Sequence, residues 1–225
     1  MSINYNDSIN NITIVTSLLN CSSHLSVFSR EERYEQTKHT LKTIRSKIPN
    51  GLIILVDVTT FTKEEEDFLN SNCDIILNEN KNDEMITAVH SNKSNGERCY
   101  LLTAIQKIFY LLKIYPNIKN IFKVSGRYFL NDNFKYENYC NDKNCVFIVE
   151  PERWKNAVAT CLFKISRNEL ENFYKKLIEF DVRTELCMET WMFTYVMSLC
   201  ESDYIHIPIM GMTGKIAPSG IEGNM

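Results

Sequence analysis

The chain has 225 residues, which is long enough for one well-filled hydrophobic core. Its composition, 44% hydrophobic and 24% charged, is that of a globular protein and excludes a largely disordered chain. A net charge of −3 argues against a nucleic-acid binder that neutralises phosphates over a broad face.

Signals for export or membrane insertion are missing from the sequence. No apolar run approaches the roughly 18 residues that a membrane-spanning helix needs, and residues 1–7 show no basic region followed by an apolar one. The 8 cysteines include no Cys-x-x-Cys pair, which disfavours a zinc ribbon and favours free thiols in a reducing compartment. We therefore expect a cytoplasmic protein.

Short apolar strands alternate with helices in the first half of the chain, an order typical of βαβ units and a parallel sheet. In the second half, two apolar runs joined by a short polar link favour an antiparallel pair. The predicted elements are strand 12–19, helix 31–48, strand 52–56, a helix capped by Thr62, strand 73–77, helix 97–114, a strand from 121, strands 145–149 and 157–165, helices 167–180 and 184–200, strand 204–210, and a loop from 211. Without repeats or long linkers, they predict one mixed α/β domain.

The most informative segment is 121–128, where an apolar strand ends in a small, polar and positively charged turn. Lys123, Ser125, Gly126 and Arg127 lie within five positions of each other. Ligands of open α/β sheets bind at the carboxyl ends of strands, so these cations suggest an anionic ligand such as a phosphate. The alternative is a surface turn with two solvated cations.

The order of the segments resembles that of small glycosyltransferases of the GT-A fold, the nucleotide-diphospho-sugar transferases found in bacteria and large DNA viruses. The resemblance covers nearly the whole chain and depends on the order and spacing of short motifs. These motifs are 15–17, 28–37, Asp57, 92–97, the Lys-x-Ser-Gly-Arg-Tyr strand end at 123–128, 188–193 and 211–214.

The resemblance implies a Rossmann-like GT-A domain over 1–225, with a mostly parallel central sheet and a mixed C-terminal half. Its nucleotide-binding half would cover 10–130, and its acceptor and catalytic half 131–225. It implies an inverting transfer of a hexose or deoxyhexose from a nucleotide-diphosphate sugar to a glycan or lipid-linked acceptor. The alternative is a non-catalytic module that binds a nucleotide sugar or a glycan. A nucleotidyltransferase is disfavoured because neither G-x-G-x-x-G nor G-x-x-x-x-G-K-[ST] occurs.

The same resemblance implies donor-binding residues at the strand ends. Thr16 and Ser17 end the first strand, and Asp57, after the second, would contact the base or ribose. Arg30 is the cation of the following charge run that lies nearest the sheet. The alternatives are a turn aspartate at Asp57 and a solvated helix face for the charge run.

A glycine-containing loop with Lys93 and Gly96 precedes the long predicted helix. Backbone N–H groups at the start of that helix could face a phosphate, with Lys93 adding a charge. Alternatively, Ser94 or Asn95 caps the helix, Glu97 favours its dipole, and Lys93 is solvated.

Many GT-A enzymes carry Asp-x-Asp where this chain has Ser125-Gly126-Arg127, and those carboxylates hold a divalent ion against the diphosphate. The nearest acid here is Asp132. Either Asp132 is a ligand of Mn²⁺ or Mg²⁺, which the family favours, or Lys123 and Arg127 neutralise the diphosphate without metal.

Inverting transfer needs a carboxylate that takes the proton of the acceptor hydroxyl. Glu185 and Glu189 are four residues apart and share one face of a predicted helix. By resemblance to the family, Glu189 is the better catalytic candidate. The alternative is an exposed helix glutamate.

Overall fold

A computed structural model of the chain describes residues 8–148, 156–180, 187–215, 220 and 222–224. The strands are β1 (Asn11–Thr16), β2 (Gly51–Asp57), β3 (Ile75–Asn78), β4 (Asn120–Ser125), β5 (Tyr128–Leu130), β6 (Cys145–Phe147), β7 (Leu162–Ser166), β8 (Tyr204–His206), β9 (Met212–Lys215) and β10 (Glu222–Asn224). The helices are α1 (Arg30–Lys47), α2 (Lys63–Asn72), α3 (Asp83–Ser91), α4 (Lys93–Ile114), α5 (Tyr136–Tyr139), α6 (Leu170–Glu179) and α7 (Met188–Met197).

Seven of these strands form one mixed sheet in the order β3-β2-β1-β4-β7-β6-β8. β1 lies between β2 and β4 and is parallel to both, and β3 is parallel to β2. β7 runs antiparallel to β4 and β6, whereas β8 is parallel to β6. The mostly parallel sheet and the antiparallel β6–β7 pair confirm the α/β fold predicted from the sequence.

Both faces of the central strands are buried, which explains their continuous apolar sequences. Ile54 of β2 belongs to the same core cluster as Ala104 and Ile108 of α4. Its neighbour Ile53 belongs to a second cluster, which contains Leu41 of α1. α1 and α4 therefore cover opposite faces of the sheet.

Capping boxes set the first residues of α1 and α2. Ser29 Oγ accepts a hydrogen bond from Glu32 N at 3.2 Å, and Glu32 Oε2 accepts one from Ser29 N at 2.8 Å. Thr62 and Glu65 exchange the same two bonds at 3.3 and 2.7 Å. Each box satisfies amides that the start of a helix leaves unpaired. The predicted N-cap at Thr62 is therefore confirmed.

Several predictions of secondary structure were wrong. β5 and α5 were not predicted, the strand predicted over 157–165 begins only at Leu162, and the strand predicted over 204–210 ends at His206. The sequence analysis did not find α3, and the helix predicted over 97–114 begins earlier, at Lys93. The loop predicted from 211 contains β9 and β10, which pair with each other and with β5 in a second sheet. β9 contains a glycine and forms next to β5, and a local pattern cannot reveal such long-range pairing.

The carboxyl ends of β1, β2 and β4 lie at one edge of the sheet. Thr16 of β1 is in register with Val56 of β2 and Ser125 of β4. Asp57 ends β2 at the same edge. Side chains that follow these strands therefore converge there. None of the helices in the described part of the chain has the length and apolar character that crossing a bilayer would need.

Gly211→Ala should destabilise the fold more than Gly220→Ala. Both glycines have a left-handed backbone, with φ of 76° and 69°, so each alanine should cost about 1–2 kcal/mol. A Cβ at Gly211 would overlap the Cα of Phe134, whereas the nearest atom to a Cβ at Gly220 is Val27 Cγ2 at 3.5 Å. The measurement is urea unfolding of both variants, and equal losses would contradict the packing at Gly211.

Candidate functional site

A cleft opens at the carboxyl ends of β1 and β4, beside the first turns of α4. Its lining residues are Thr16, Ser17, Leu18, Cys21, Leu25, Arg33, Val89, Lys93, Gly96, Glu97, Tyr100, Ser125 and Arg127. The cavity measures about 80 Å³, well below the roughly 300–1,000 Å³ of an enclosing ligand pocket. A ligand as large as a nucleotide would therefore lie partly outside the enclosed part of the cleft.

The lining brings together six of the residues singled out in the sequence. Those six are Thr16, Ser17, Lys93, Gly96, Ser125 and Arg127. They come from the ends of β1 and β4, the turn after β4, and the start of α4. This convergence is the arrangement expected when ligands bind outside the carboxyl ends of parallel strands.

Asp57 lies behind the cleft and organises the loop that follows β1. Its side chain is fully buried, Oδ1 accepts a hydrogen bond from Thr59 N at 2.7 Å, and Oδ2 accepts one from Leu19 N at 3.2 Å. Burial raises the pKa of Asp57, although hydrogen bonds from Thr59, Ser17 and Leu19 favour the charged form. The geometry gives this carboxylate a structural role, and its contact with a base or ribose stays a prediction.

Arg30 is not among the residues that line the cleft. Its Nε donates a hydrogen bond to Glu65 Oε1 at 2.8 Å, and a terminal nitrogen donates to Thr60 O at 2.8 Å. The guanidinium thus connects the first turn of α1 to the first turn of α2. A contact between Arg30 and a nucleotide stays a prediction.

The predicted metal ligand Asp132 is also remote from the lining residues. It is exposed on the loop after β5, and its Oδ1 lies 3.4 Å from Lys47 Nζ. Within the described ranges, no three His, Cys, Asp or Glu side chains are grouped so that they could hold a metal ion. The acid in the cleft lining is Glu97, and it is already paired with a cation. The described residues therefore supply no such cluster, and metal binding by Asp132 stays a prediction.

Lys123 is the cation paired with Glu97, and it lies beneath the floor of the cleft. Only 1% of Lys123 is exposed, and its ammonium donates hydrogen bonds to Ser125 Oγ at 2.7 Å and Thr160 O at 2.6 Å. The pair with Glu97 completes its environment. Lys123 thus supports the lining residue Ser125 from below, and its direct contact with a diphosphate stays a prediction.

Gly126 holds the turn between β4 and β5 against β1. Its N–H donates a hydrogen bond to Thr16 O at 2.9 Å, and its carbonyl accepts bonds from Thr37 and Thr40 Oγ1, both at 3.2 Å. A Cβ at this position would lie 3.2 Å from Thr16 O. The absence of a side chain here lets the turn approach β1 closely, which places Arg127 at the cleft.

The N-terminus of α4 is capped by Asn92, which corrects the expectation of a cap at Ser94 or Asn95. Asn92 Oδ1 accepts hydrogen bonds from Ser94 N at 2.8 Å and Asn95 N at 3.1 Å. These two amides are therefore not free for a phosphate. Gly96 allows α3 and α4 to pack closely, since a Cβ there would lie 2.8 Å from Val89 Cα.

Glu189 lies in the first turn of α7, next to the cation at the start of α4. Its Oε1 is 3.5 Å from Lys93 Nζ and accepts a hydrogen bond from Thr160 Oγ1 at 3.4 Å. Burial opposes ionisation, but Lys93, backbone and Cys187 hydrogen bonds, and Lys123 hold the pKa of Glu189 below its usual value. The side chain is thus a carboxylate at neutral pH. Glu185, the second catalytic candidate, lies outside the described residues.

The sequence analysis missed Arg33 and Tyr100, which line the cleft. Arg33 is 6% exposed, although it belongs to a charge run that we expected to be mostly solvated. Its position relative to Thr37, Thr40 and Ile44, which are also buried on α1, was the available signal. Burial raises the pKa of the Tyr100 hydroxyl well above its usual value, so this group stays neutral.

Lys123→Met should destabilise the protein by about 3–5 kcal/mol, because it leaves the partly buried carboxylate of Glu97 without its cation. The double variant Lys123→Met/Glu97→Met should recover much of that loss, since both charges are then removed. Urea unfolding measures both free energies. Lys175→Met, which breaks an exposed pair with Glu171, is the control and should cost about 0–1 kcal/mol. If the double variant is no more stable than Lys123→Met, Lys123 does not stabilise the fold by compensating the charge of Glu97.

Comparisons with known proteins show the fold and no closer relationship. No family model matches the sequence, and no curated protein matches it. One similar solved structure is a candidate nucleotide-diphospho-sugar transferase of Desulfovibrio desulfuricans, with 7% identity, a TM-score of 0.52, and 88% of this chain and 80% of that chain covered. At this identity the match shows that the two proteins share a fold.

Two further structures have lower TM-scores. A glycosyltransferase involved in the glycosylation of the major capsid of PBCV-1 is 9% identical, with a TM-score of 0.49 and coverage of 87% of this chain and 81% of that chain. The 4-diphosphocytidyl-2C-methyl-D-erythritol synthase of Anaerococcus prevotii is 12% identical, with a TM-score of 0.47 and coverage of 93% and 92%.

Proposed function

We propose that this chain is a glycosyltransferase that binds a nucleotide-diphosphate sugar in the cleft and transfers its hexose or deoxyhexose to a glycan or lipid-linked acceptor. The observation that carries the proposal is the convergence of Lys93, Arg33 and Arg127 at the carboxyl edge of the sheet, beside the ionised carboxylate of Glu189. The shared fold with a candidate nucleotide-diphospho-sugar transferase supports it. A cytoplasmic location without a nucleic-acid partner belongs to the same proposal.

The Glu189 carboxylate and the cations of the cleft suit different parts of an inverting transfer. The acceptor hydroxyl would attack the anomeric carbon while its proton passes to Glu189, and the bond between that carbon and the diphosphate oxygen would break. The leaving nucleoside diphosphate gains negative charge, which the cations of the cleft would stabilise. Thr16, Ser17 and Ser125 offer hydroxyl groups to the donor at the strand ends.

Titration calorimetry with UDP-, GDP-, dTDP- and CMP-linked sugars, each with and without Mn²⁺, tests donor binding. We expect saturable binding of one nucleotide class, because the cleft has a fixed set of polar groups. Absence of binding for every donor in both conditions would contradict the proposed function.

Glu189→Gln should lower kcat by roughly 10²–10⁴-fold, the usual contribution of a general base, while the donor Kd stays nearly unchanged. The matched control is Glu171→Gln, which alters an exposed helix glutamate that pairs with a lysine in the same way. The measurement is steady-state transfer together with donor titration. If kcat is unchanged in Glu189→Gln, this residue is not the base. If the chain binds donor but has no transfer activity with any acceptor, it is the alternative, a non-catalytic binding module.

The acid limb of the pH profile should report the environment of Glu189. An ordinary glutamate has a pKa of about 4.3. Because the pKa of Glu189 is held below its usual value, the carboxylate stays ionised at lower pH, and transfer should persist there. Lys93→Met removes the nearest cation, so the limb should move to higher pH. The measurement is kcat/KM against pH for both proteins, and a limb that stays in place would exclude this coupling.

A further inference from the structure

Two arginines in the cleft have no carboxylate partner in the described part of the chain. Arg33 donates hydrogen bonds to the carbonyl of Leu18 and, at 3.0 Å, to Ser26 Oγ, both neutral acceptors. Arg127 donates to the Lys215 carbonyl at 3.2 Å, and its guanidinium carbon lies 5.4 Å from the centroid of the Tyr128 ring.

Two other arginines, Arg30 and Arg45, are paired with carboxylates, whereas Arg98 and Arg167 donate to backbone carbonyls but, unlike Arg33, are not buried. A terminal nitrogen of Arg30 lies 2.5 Å from Glu65 Oε2, and one of Arg45 lies 2.6 Å from Asp74 Oδ2. Both of these guanidiniums are more exposed than Arg33, which is 6% exposed. The least exposed of the three charges is therefore the one without a counter-charge, which is the opposite of the usual pattern for buried ions.

The remaining charges of the cleft balance one another. Glu97 is paired with Lys123 beneath the floor, and Lys93 is paired with Glu189 at the rim. Arg33 and Arg127 line the same cleft and form no ion pair with a described carboxylate, although Asp57 behind the cleft acts on Arg33 electrostatically. Burial and the positive charge of Arg127 lower the pKa of Arg33, whereas Cys21, Asp57 and Tyr100 act in the opposite direction. The cleft thus contains two like charges, and a bound anion would reduce their repulsion.

We propose that Arg33 and Arg127 bind the diphosphate of the donor directly and supply the charge neutralisation that a divalent ion supplies in many enzymes of this fold. This inference rests on the proposed function. A guanidinium donates two parallel hydrogen bonds to phosphate oxygens, and two guanidiniums match the two negative charges on the diphosphate of a nucleotide-diphosphate sugar. It also agrees with the described residues, which include no group of three potential metal ligands.

Inorganic pyrophosphate in the presence of EDTA is the probe that isolates these two side chains. Calorimetry on the full chain should show binding without metal. Arg127→Gln should weaken that binding by roughly ten- to a hundredfold, the effect of losing charge-assisted hydrogen bonds. Arg33→Lys keeps the charge but not the planar fork, and should also weaken it.

Arg167→Gln is the matched control. Arg167 also donates a hydrogen bond to a backbone carbonyl, that of Pro116, but it lies near the start of β4, at the opposite end of the strand from the cleft. Its removal should leave pyrophosphate binding unchanged. Thermal melting of each variant shows whether it is folded. If Arg33→Lys does not fold, the Arg127→Gln variant still tests the inference, because Arg127 is half-exposed and its replacement should leave the fold intact.

Pyrophosphate binding that requires Mn²⁺ or Mg²⁺, binding in EDTA that survives in folded Arg127→Gln, or no binding at all would each overturn the inference. The donor titrations separate it from the proposed function. Nucleotide sugars that bind only with Mn²⁺ would leave the transferase proposal intact and remove the metal-free arginine site. If pyrophosphate binds without metal but no nucleotide sugar binds, the transferase proposal is contradicted, whereas a metal-free anion site at the two arginines remains.

Discussion

The buried ammonium of Lys123 is the interaction on which the arrangement of the cleft depends. It is a charged residue at the centre of the sheet, and it is tolerated because Glu97, Ser125 Oγ and Thr160 O surround it. These partners come from α4, the end of β4 and the segment before β7, which are far apart in the sequence. One ion therefore fixes where α4 begins relative to the carboxyl edge of the sheet, and with it the positions of the lining residues on the first turns of that helix.

The same cation connects the floor of the cleft to the candidate base. The Thr160 carbonyl accepts a hydrogen bond from Lys123, and its hydroxyl donates one to Glu189, which also lies next to Lys93. Charges of alternating sign are thus connected in the order Glu97, Lys123, Glu189 and Lys93, with Thr160 between Lys123 and Glu189. Because Lys123 also helps to lower the pKa of Glu189, a change beneath the floor would alter both the stability of the fold and the protonation of the carboxylate at the rim.

The strands and the place of the cleft could be predicted because they follow from local chemistry. Parallel strands buried on both faces have continuous apolar sequences, and polar residues such as Ser17 and Ser125 mark their ends. The direction and partners of a side chain depend on distant segments, so they could not be predicted. Asp57 has the expected position but is turned into the protein by the amides of Leu19 and Thr59. Arg33 is in a charge run that resembles a solvated face, and it is buried only because the loop after β1 supplies Leu18 and Ser26 as acceptors.

The kind of acceptor that holds an arginine decides whether its charge remains available to a ligand. A carboxylate orients a guanidinium and neutralises it, as Glu65 does for Arg30, so little attraction for an anion is left. A carbonyl or hydroxyl orients the guanidinium while leaving its net charge in place, as Leu18 and Ser26 do for Arg33. A cleft built in the second way has its cations already positioned, so an anionic ligand need not separate an existing ion pair before it binds. The cost is like-charge repulsion between the two guanidiniums, which the rest of the fold must offset.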